Sequence, residues 1–270
     1  MTPPLYLVDE LPPGAAGELA GPEGRHAVTV RRTRVGERLL LGDGRGGLAD
    51  AEVTGVGRDT LRLAILDRRV VAAPSPTVTL AQALVKGERG ELAVELATEA
   101  GVDAVLPWRA ARCVARWDEG PRGDKSLARW RSTVLAATKQ SRRAWLPEVG
   151  EPVGTSALVA RCAAAEAALV LHESAGTSIA AAVRELLPGA IPAGAAPDGL
   201  LPEREAVRGG VELVLVVGPE GGIAEDELAS LCAVGARPVR LGPEVLRAST
   251  AAAVALGALG VLTGRWDDYF

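Results

Sequence analysis

The chain has 270 residues and a net charge of −4, and its 48% hydrophobic and 24% charged residues are typical of a folded globular protein. Two histidines and three widely spaced cysteines argue against a structural zinc site, and the longest apolar stretch, 251–262, is too short to cross a bilayer. Since the first residues also lack the pattern of a signal peptide, we expect a cytoplasmic protein without a metal or a membrane partner.

The first 72 residues are predicted to be β structure around one short helix. The candidate strands alternate with turns and are assigned to 5–8, 59–67 and two segments within 37–56. The Asp43-Gly44 turn signal joins the two middle strands, and 23–34 fits a helical turn or two. Short strands at this spacing are typical of a small barrel.

From residue 77 onward, predicted strands alternate with predicted helices. Pro74 and Pro76 mark the linker, which divides the chain into domains 1–72 and 73–270. The predicted strands are 77–84, 103–108, 167–173, 211–218 and 238–242. The predicted helices between and after them are 86–101, 124–143, 178–187, 225–235 and a last one from about 247. This alternation predicts an α/β domain with a mainly parallel sheet, and the Pro/Gly-rich segment 188–202 is expected to be a surface loop.

Three of the predicted strands end in unusual residues. His172 and Glu173 follow one strand, Gly-Pro-Glu-Gly-Gly at 218–222 follows the next, and the segment 241–251 follows the third. In an open α/β sheet, ligands bind beyond the carboxyl ends of the strands. The glycine-rich loop therefore predicts a close approach of the backbone to a ligand, although a plain turn that closes a βα unit is the alternative.

The glycine-rich loop does not fit the usual phosphate-binding patterns. It lacks the lysine of a P-loop, Glu220 would repel a phosphate, and the dinucleotide fingerprint G-x-G-x-x-G is missing, which disfavours a nucleotide-dependent enzyme. A carboxylate beside close backbone groups suits a neutral or cationic ligand, such as S-adenosylmethionine. Arg247 stands at the positive end of a helix dipole, where a cation is unfavourable, which suggests a functional task. The alternative for Arg247 is that it is an ordinary surface residue. The alternative for His172 is that it only makes a hydrogen bond at the end of its strand.

Positive charge is concentrated in the first half of the chain. Its clusters are Arg31, Arg32 and Arg34; Arg109, Arg112 and Arg116; and Lys139, Arg142 and Arg143. The distribution of charge, more than its sum, decides whether a nucleic acid can bind. Each cluster is therefore a candidate contact for a nucleic acid, with a solvated surface as the alternative.

Three motifs, 80–108, 218–222 and 241–252, strongly resemble the RsmE family of 16S ribosomal RNA uridine-N3 methyltransferases, which belongs to the SPOUT superfamily. The resemblance covers nearly the whole chain, and the further segments that fit the family are 24–32, 36–46 and 139–149. It implies an α/β fold in which a small PUA-like β-barrel domain precedes a SPOUT methyltransferase domain with a C-terminal trefoil knot. It also implies a homodimer with the active site at the interface.

The same resemblance implies that the cofactor is S-adenosylmethionine. It also implies that the methylated atom is N3 of one uridine of 16S rRNA in the small ribosomal subunit, uracil 1498 in the usual rRNA numbering. The residues expected to bind the cofactor are His172, Glu173, Val217, Gly218, Pro219, Glu220, Gly221, Gly222, Leu241, Gly242, Val245, Leu246, Ser249, Thr250 and Ala251. Arg247 is expected to stabilise the uridinate, with Glu220 or a water as the proton acceptor. The expected RNA contacts are Arg25, His26, Arg31, Arg32, Arg34, Lys86, Lys139, Gln140, Arg142 and Arg143.

Two positions depart from the family pattern. Ser249 stands where family members often carry a glutamate, so such a glutamate cannot be the indispensable base of this enzyme. Arg25 precedes His26 where a pair of histidines is common. Methylation of another atom, such as a ribose 2′-hydroxyl, and a non-catalytic ribosome-assembly factor that binds RNA are the alternative functions.

Overall fold

The structure is a computed structural model that describes residues 2–117, 120–188 and 210–267. The predicted surface loop 188–202 lies, apart from its first residue, outside the described residues. The chain divides into two compact units, Met1–Ala73 with Leu135–Leu146, and Pro74–Val134 with Pro147–Phe270. Each unit is built around a sheet of its own.

The first unit contains a five-stranded sheet of mostly antiparallel strands. Its members are β1 (Leu5–Leu7), β2 (Ala16–Leu19), β3 (Arg38–Gly42), β4 (Gly47–Val56) and β5 (Leu61–Val70), in the order β1-β3-β4-β5-β2. Only the pair β1–β3 is parallel among the pairs of this sheet in the described chain. Two register shifts between β4 and β5 mark irregularities of the bulge type, which bend and twist a sheet. The predicted small PUA-like β unit is confirmed as a curled sheet.

A short helical segment connects β2 to β3, as the sequence predicts for 23–34. It consists of α1 (Gly21–Arg25) and a π-helical turn, His26–Val30. Pro22 occupies the first turn of α1, where its missing N–H has no helical partner to lose. Arg32 follows with a φ of 54°, in the left-handed region that non-glycine residues seldom adopt.

The segment Leu135–Leu146 is part of the first unit although it is remote from it in the sequence. The N–H of Gly46 donates to the carbonyl of Ala144, and the N–H of Leu146 donates to the carbonyl of Gly44, both at 3.0 Å. The indole N–H of Trp145 donates to the carbonyl of Val71 at 3.1 Å. These hydrogen bonds fix the end of a long helix and the residues after it against the β3–β4 turn.

The second unit carries a parallel sheet, as predicted. Its strands are β6 (Thr77–Ala83), β7 (Ala104–Arg109), β8 (Glu148–Val149), β9 (Val153–Gly154), β10 (Ala167–Leu171), β11 (Glu212–Val217) and β12 (Arg237–Val239). The order is β12-β10-β11-β6-β7-β8, and β9 also pairs with β7. Its helices are α2 (Arg89–Glu99), α4 (Thr155–Ala164), α5 (Ile179–Leu186), α6 (Glu225–Ala233) and α7 (Ala248–Leu262), while α3 (Pro121–Ser141) ends in the Leu135–Leu146 segment of the first unit.

Helices cover both faces of this parallel sheet. Leu80 and Leu215 lie in one buried cluster together with apolar residues of α2, α5 and α7. Ala81 and Val216, the next residues along the same strands, lie in a second cluster with residues of α4 and α6. This alternation follows from the two-residue period of a strand. No helix in the described ranges is long and apolar enough to cross a membrane.

Candidate active site

A cleft of about 380 Å³ lies at the carboxyl ends of β10, β11 and β12. The residues after β10, the loop after β11 and the segment after β12 all contribute to its walls. Its position agrees with the rule for ligand sites in parallel sheets, and its volume falls within the usual range for small-molecule pockets. The fold thus brings together the three strand ends that the sequence singles out.

Most residues expected to bind a cofactor line this cleft, as does the expected catalytic residue Arg247. The lining residues from that expected set are His172, Glu173, Val217, Gly218, Pro219, Glu220, Gly222, Leu241, Val245, Leu246, Ser249 and Ala251. Gly221, Gly242 and Thr250 are not among the lining residues. Gly221 instead contacts Arg112, whose Nη1 donates to the Gly221 carbonyl at 3.3 Å.

Several residues of the cleft wall lie outside the segments that the sequence singles out. They are Val85, Arg89, Leu171, Ile223, Val239 and Arg240, whereas Glu244 and Ala248 belong to the 241–251 segment. Leu171 and Val239 are the last residues of β10 and β12, so motifs extended backwards by one and two residues, respectively, would have included them. Val85 and Arg89 follow β6, a fourth strand end, where the glycine at position 87 was the available signal; in the structure Gly87 has a φ of 69°.

The glycines of the loop after β11 have local structural roles. The N–H of Gly222 donates to the Pro219 carbonyl at 2.9 Å, and its φ of 72° favours glycine. A Cβ on Gly218 would lie 2.6 Å from Cγ1 of Ile223, closer than packed carbons tolerate. Glycine at 218 therefore lets the loop fold over Ile223, and glycine at 222 lets it turn towards α6.

A buried carboxylate fixes the far end of this loop. Glu227, only 5% exposed, accepts at Oε1 from Thr155 Oγ1 at 2.6 Å and from the Ala111 N–H at 2.9 Å. Its Oε2 lies 3.4 Å from the N–H of Ala224, and Thr155 Oγ1 accepts from Trp108 Nε1 at 3.2 Å. Buried charges need such partners. The position of the loop thus depends on a network that the sequence analysis did not identify.

Acidic and basic side chains are mixed around the cleft. They are Glu173, Glu220 and Glu244 together with Arg89, Arg240 and Arg247. Oε1 of Glu220 lies 3.5 Å from Nη1 of Arg89, and both side chains are substantially exposed, so this pair contributes little to stability. Arg247 is the exposed N-cap residue of α7, and its carbonyl accepts from the N–H groups of Thr250 and Ala251 at 2.9 Å. This mixture suits a ligand that carries charges of both signs.

His172 has a hydrogen-bond partner of its own at the end of β10. Its ring Nδ1 lies 2.9 Å from Ser174 Oγ, and its backbone N–H donates to the Val239 carbonyl at 3.0 Å. The ring of His172 thus has a hydrogen-bond partner, as in the structural alternative to a cofactor contact, although His172 also lines the cleft.

The cysteines near the sheet are protonated thiols at neutral pH. Burial raises the pKa of Cys162 to about 11, and burial also raises the pKa of Cys113. A thiol, unlike a thiolate, is a poor nucleophile. In the three described ranges, no group of three or more His, Cys, Asp and Glu side chains could hold a metal ion.

A second cleft, of about 290 Å³, lies within the first unit. Its lining residues are Pro4, Leu5, Tyr6, His26, Arg31, Lys139, Gln140 and Arg142. The fold thus joins expected RNA contacts from two remote parts of the sequence. Arg25, Arg32, Arg34 and Arg143 do not line it, and Lys86 belongs to the second unit.

Lys139 and Arg25, both expected RNA contacts, have acidic partners among the described residues. Nζ of Lys139 donates to both carboxylate oxygens of Glu23, at 2.6 and 2.8 Å, and the two side chains are only 22% exposed. Nε of Arg25 lies 4.0 Å from Oδ1 of Asp59. Lys139 therefore contributes less free positive charge than its place in a basic cluster suggested.

Comparison with known proteins agrees with this architecture. A family model described as an RNA methyltransferase domain matches residues 73–260, and one described as an RNA methyltransferase PUA domain matches 19–66. A Mycobacterium bovis protein named ribosomal RNA small subunit methyltransferase E is 53% identical over 268 residues, which cover 97% of this chain and 93% of that protein.

Solved structures show the same fold over nearly the full length. One is a ribosomal RNA small subunit methyltransferase E from Neisseria gonorrhoeae bound to S-adenosyl methionine, with a TM-score of 0.76, 26% identity, and coverage of 97% of this chain and 98% of that one. Another is a putative methyltransferase from Legionella pneumophila in complex with bound SAM, with a TM-score of 0.77, 28% identity, and coverage of 96% and 98%. The chain therefore belongs to the ribosomal RNA small subunit methyltransferase E (RsmE) family of RNA methyltransferases.

Proposed function

We propose that the protein transfers a methyl group from S-adenosylmethionine to N3 of a uridine in 16S rRNA of the small ribosomal subunit. The observation that carries this proposal is the cleft at the ends of β10, β11 and β12, built from the motifs that resemble the RsmE family. Relatives whose structures contain S-adenosylmethionine support the cofactor. The predicted base within 16S rRNA is uracil 1498.

The residues of the cleft fit this cofactor. Its apolar walls, which include Val85, Leu171 and Ile223, suit an adenine ring. The carboxylates and guanidinium groups around the cleft suit a ligand that carries a sulfonium, an ammonium and a carboxylate group. Gly218 and Gly222 of the glycine-rich loop line the cleft and have no side chains that would keep a ligand away from the backbone.

When bound, S-adenosylmethionine supplies an electrophilic methyl group, and its sulfur keeps the electron pair of the broken S–CH₃ bond. Uridine N3 becomes a good nucleophile only after its proton leaves, when negative charge spreads over O2 and O4 of the uracil. Arg247, exposed at the start of α7, is proposed to stabilise that charge. Glu220, which lies beside Arg89, or a water is proposed to accept the proton. Positioning and preorganised charge then provide most of the barrier reduction.

Ser249 leaves the proton-accepting role to another group. It is buried in the first turn of α7, and its hydroxyl is a far weaker base than a carboxylate at neutral pH. Glu220 remains the proposed acceptor, and its carboxylate lines the same cleft as Arg247.

The proposal includes a trefoil knot, a homodimer and a cytoplasmic location. Support for the knot comes from the resemblance of the 218–222 and 241–252 motifs to the RsmE family, and residues of both motifs line the same cleft. Support for the homodimer comes from α7, where Val254 and Val261 lie on one face and are 48% and 68% exposed. A second copy would cover these apolar side chains.

Transfer of labelled methyl groups tests the proposed substrate. Small ribosomal subunits and free 16S rRNA, both from a strain that lacks the gene, would be incubated with the protein and methyl-labelled S-adenosylmethionine. We expect label in the RNA of the assembled subunits. The absence of label from both substrates would contradict the proposal and favour a non-catalytic RNA-binding factor.

A further inference from the structure

The 290 Å³ cleft of the first unit has an unusual wall. Tyr6 of β1 is 1% exposed, and its hydroxyl is buried without a hydrogen-bond partner among the described residues. Tyr6 nevertheless lines the cleft, together with residues of the π-helical turn and of the end of α3. A buried polar group without a partner is unfavourable, and native proteins retain few of them. A ligand in the cleft would provide the missing partner.

The charges around this cleft favour an anion. Arg142 is held in place because its Nε donates to the Pro3 carbonyl at 2.9 Å and its Nη2 donates to the Thr2 carbonyl at 3.3 Å. Its φ of 58° places it in the left-handed region, which non-glycine residues seldom adopt. Arg31 is exposed and lines the same cleft, whereas the charge of Lys139 is balanced by Glu23. Two guanidinium groups, one of them fixed in position, suit a phosphate.

The size of the cleft and its neutral groups favour a nucleotide rather than a phosphate alone. Gln140 offers an amide that can both donate and accept, and the imidazole of His26 adds two polar ring nitrogens. A concave site of about 290 Å³ accepts an unstacked nucleotide but not a stretch of duplex. Proteins that recognise RNA sequence mostly bind such unstacked nucleotides in single strands.

We propose that this cleft binds one nucleotide of a single-stranded segment of the RNA substrate. Arg31 and Arg142 face its phosphate, and the Tyr6 hydroxyl donates a hydrogen bond to an oxygen of the same nucleotide. The inference rests on the proposed function in one respect, namely that the substrate is RNA. It adds a second point of attachment, in the first unit, to the methyl-transfer site in the second.

Tyr6→Phe tests the role of the hydroxyl. Binding of a fluorescein-labelled single-stranded fragment of 16S rRNA to the full chain, without S-adenosylmethionine, would be measured by anisotropy. We expect the Kd to rise about fivefold to tenfold, as for the loss of one hydrogen bond. The Tm is expected to stay the same or to rise, because the hydroxyl has no partner in the free protein. A purely structural tyrosine would instead lower the Tm and leave the Kd unchanged.

Arg31→Ala tests the phosphate contact, with Arg58→Ala as a matched control. Arg58 is exposed in the turn between β4 and β5 and does not line the cleft. Arg31→Ala is expected to raise the Kd and to reduce the slope of log Kd against log salt by about 0.7, the value for one phosphate of a single strand. Arg58→Ala is expected to change both quantities less.

The outcomes separate this inference from the proposed function. If Tyr6→Phe and Arg31→Ala bind the RNA fragment as the unchanged protein does, while the unchanged protein methylates small subunits, the inference is wrong and the proposed function stands. If the unchanged protein neither binds the RNA fragment nor methylates small subunits, both fail.

Discussion

Glu227→Gln tests whether a buried carboxylate holds the loop after β11 in place. The amide oxygen of glutamine can still accept from Thr155 and Ala111, but these two bonds lose their charge, at a cost of about 1 kcal/mol each. The amide NH₂ would face the N–H of Ala224, so the third bond, about 1 kcal/mol, is lost as well. The free energy of unfolding should therefore fall by about 3 kcal/mol.

Part of that loss should appear in cofactor binding. If about half of it, roughly 1.4 kcal/mol, is the cost of holding the loop in its place, the affinity for S-adenosylmethionine falls about tenfold. Urea unfolding and calorimetric titration with S-adenosylmethionine would measure the two effects. Glu225→Gln is the matched control, because Glu225 is an exposed acid in the same first turn of α6. Equal unfolding free energies for the two variants would refute the argument.

Arg247→Ala should lower kcat and leave the Kd for S-adenosylmethionine nearly unchanged, because this arginine is proposed to act on the uridinate; a large loss of cofactor affinity in calorimetry would make it a binding residue instead. Gly222→Ala should reduce the free energy of urea unfolding by about 1 kcal/mol or more because of its φ of 72°, whereas Gly221→Ala, with an ordinary φ, should cost less. Equal losses would mean that the turn geometry is not the cause. Stability should fall as the pH rises from about 9 to 11, because the thiol of Cys162 has its pKa raised from 9.0 to about 11 in the folded protein and so stays protonated where the unfolded thiol ionises. Urea unfolding at several alkaline pH values would show a weaker dependence for Cys162→Ala; an identical dependence would exclude this thiol as a cause.

Most of the architecture could be predicted from the sequence because the apolar periodicity is clear. The run at β11, Glu212–Val217, is aliphatic and bounded by glycines, and it reads as a buried strand. The alanine-rich α4, Thr155–Ala164, was missed because its few large apolar residues give a weak helical pattern. β2 was missed because Ala16–Leu19 contains a glycine and forms a strand only by pairing with β5.

The parts of the sites that depend on distant contacts could not be read from local pattern. Glu227 resembles an ordinary acidic residue at a helix start, and only the fold shows that Thr155 and Ala111 are its partners. The continuous helical pattern of α3 likewise gives no sign that its end belongs to the first unit, where Gln140 and His26 line the same cleft. The strand ends are recognisable from their sequence motifs, whereas burial and contacts between distant residues determine how they are held.

The identity of the methylated nucleoside would decide whether the protein methylates N3 of a uridine. Small ribosomal subunits from a strain that lacks the gene would be incubated with the protein and labelled S-adenosylmethionine. The RNA would then be digested to nucleosides, and the labelled nucleoside would be identified by mass spectrometry. We expect the label in 3-methyluridine. Label in a 2′-O-methyl nucleoside would keep the fold and the cofactor but contradict the proposed chemistry at N3.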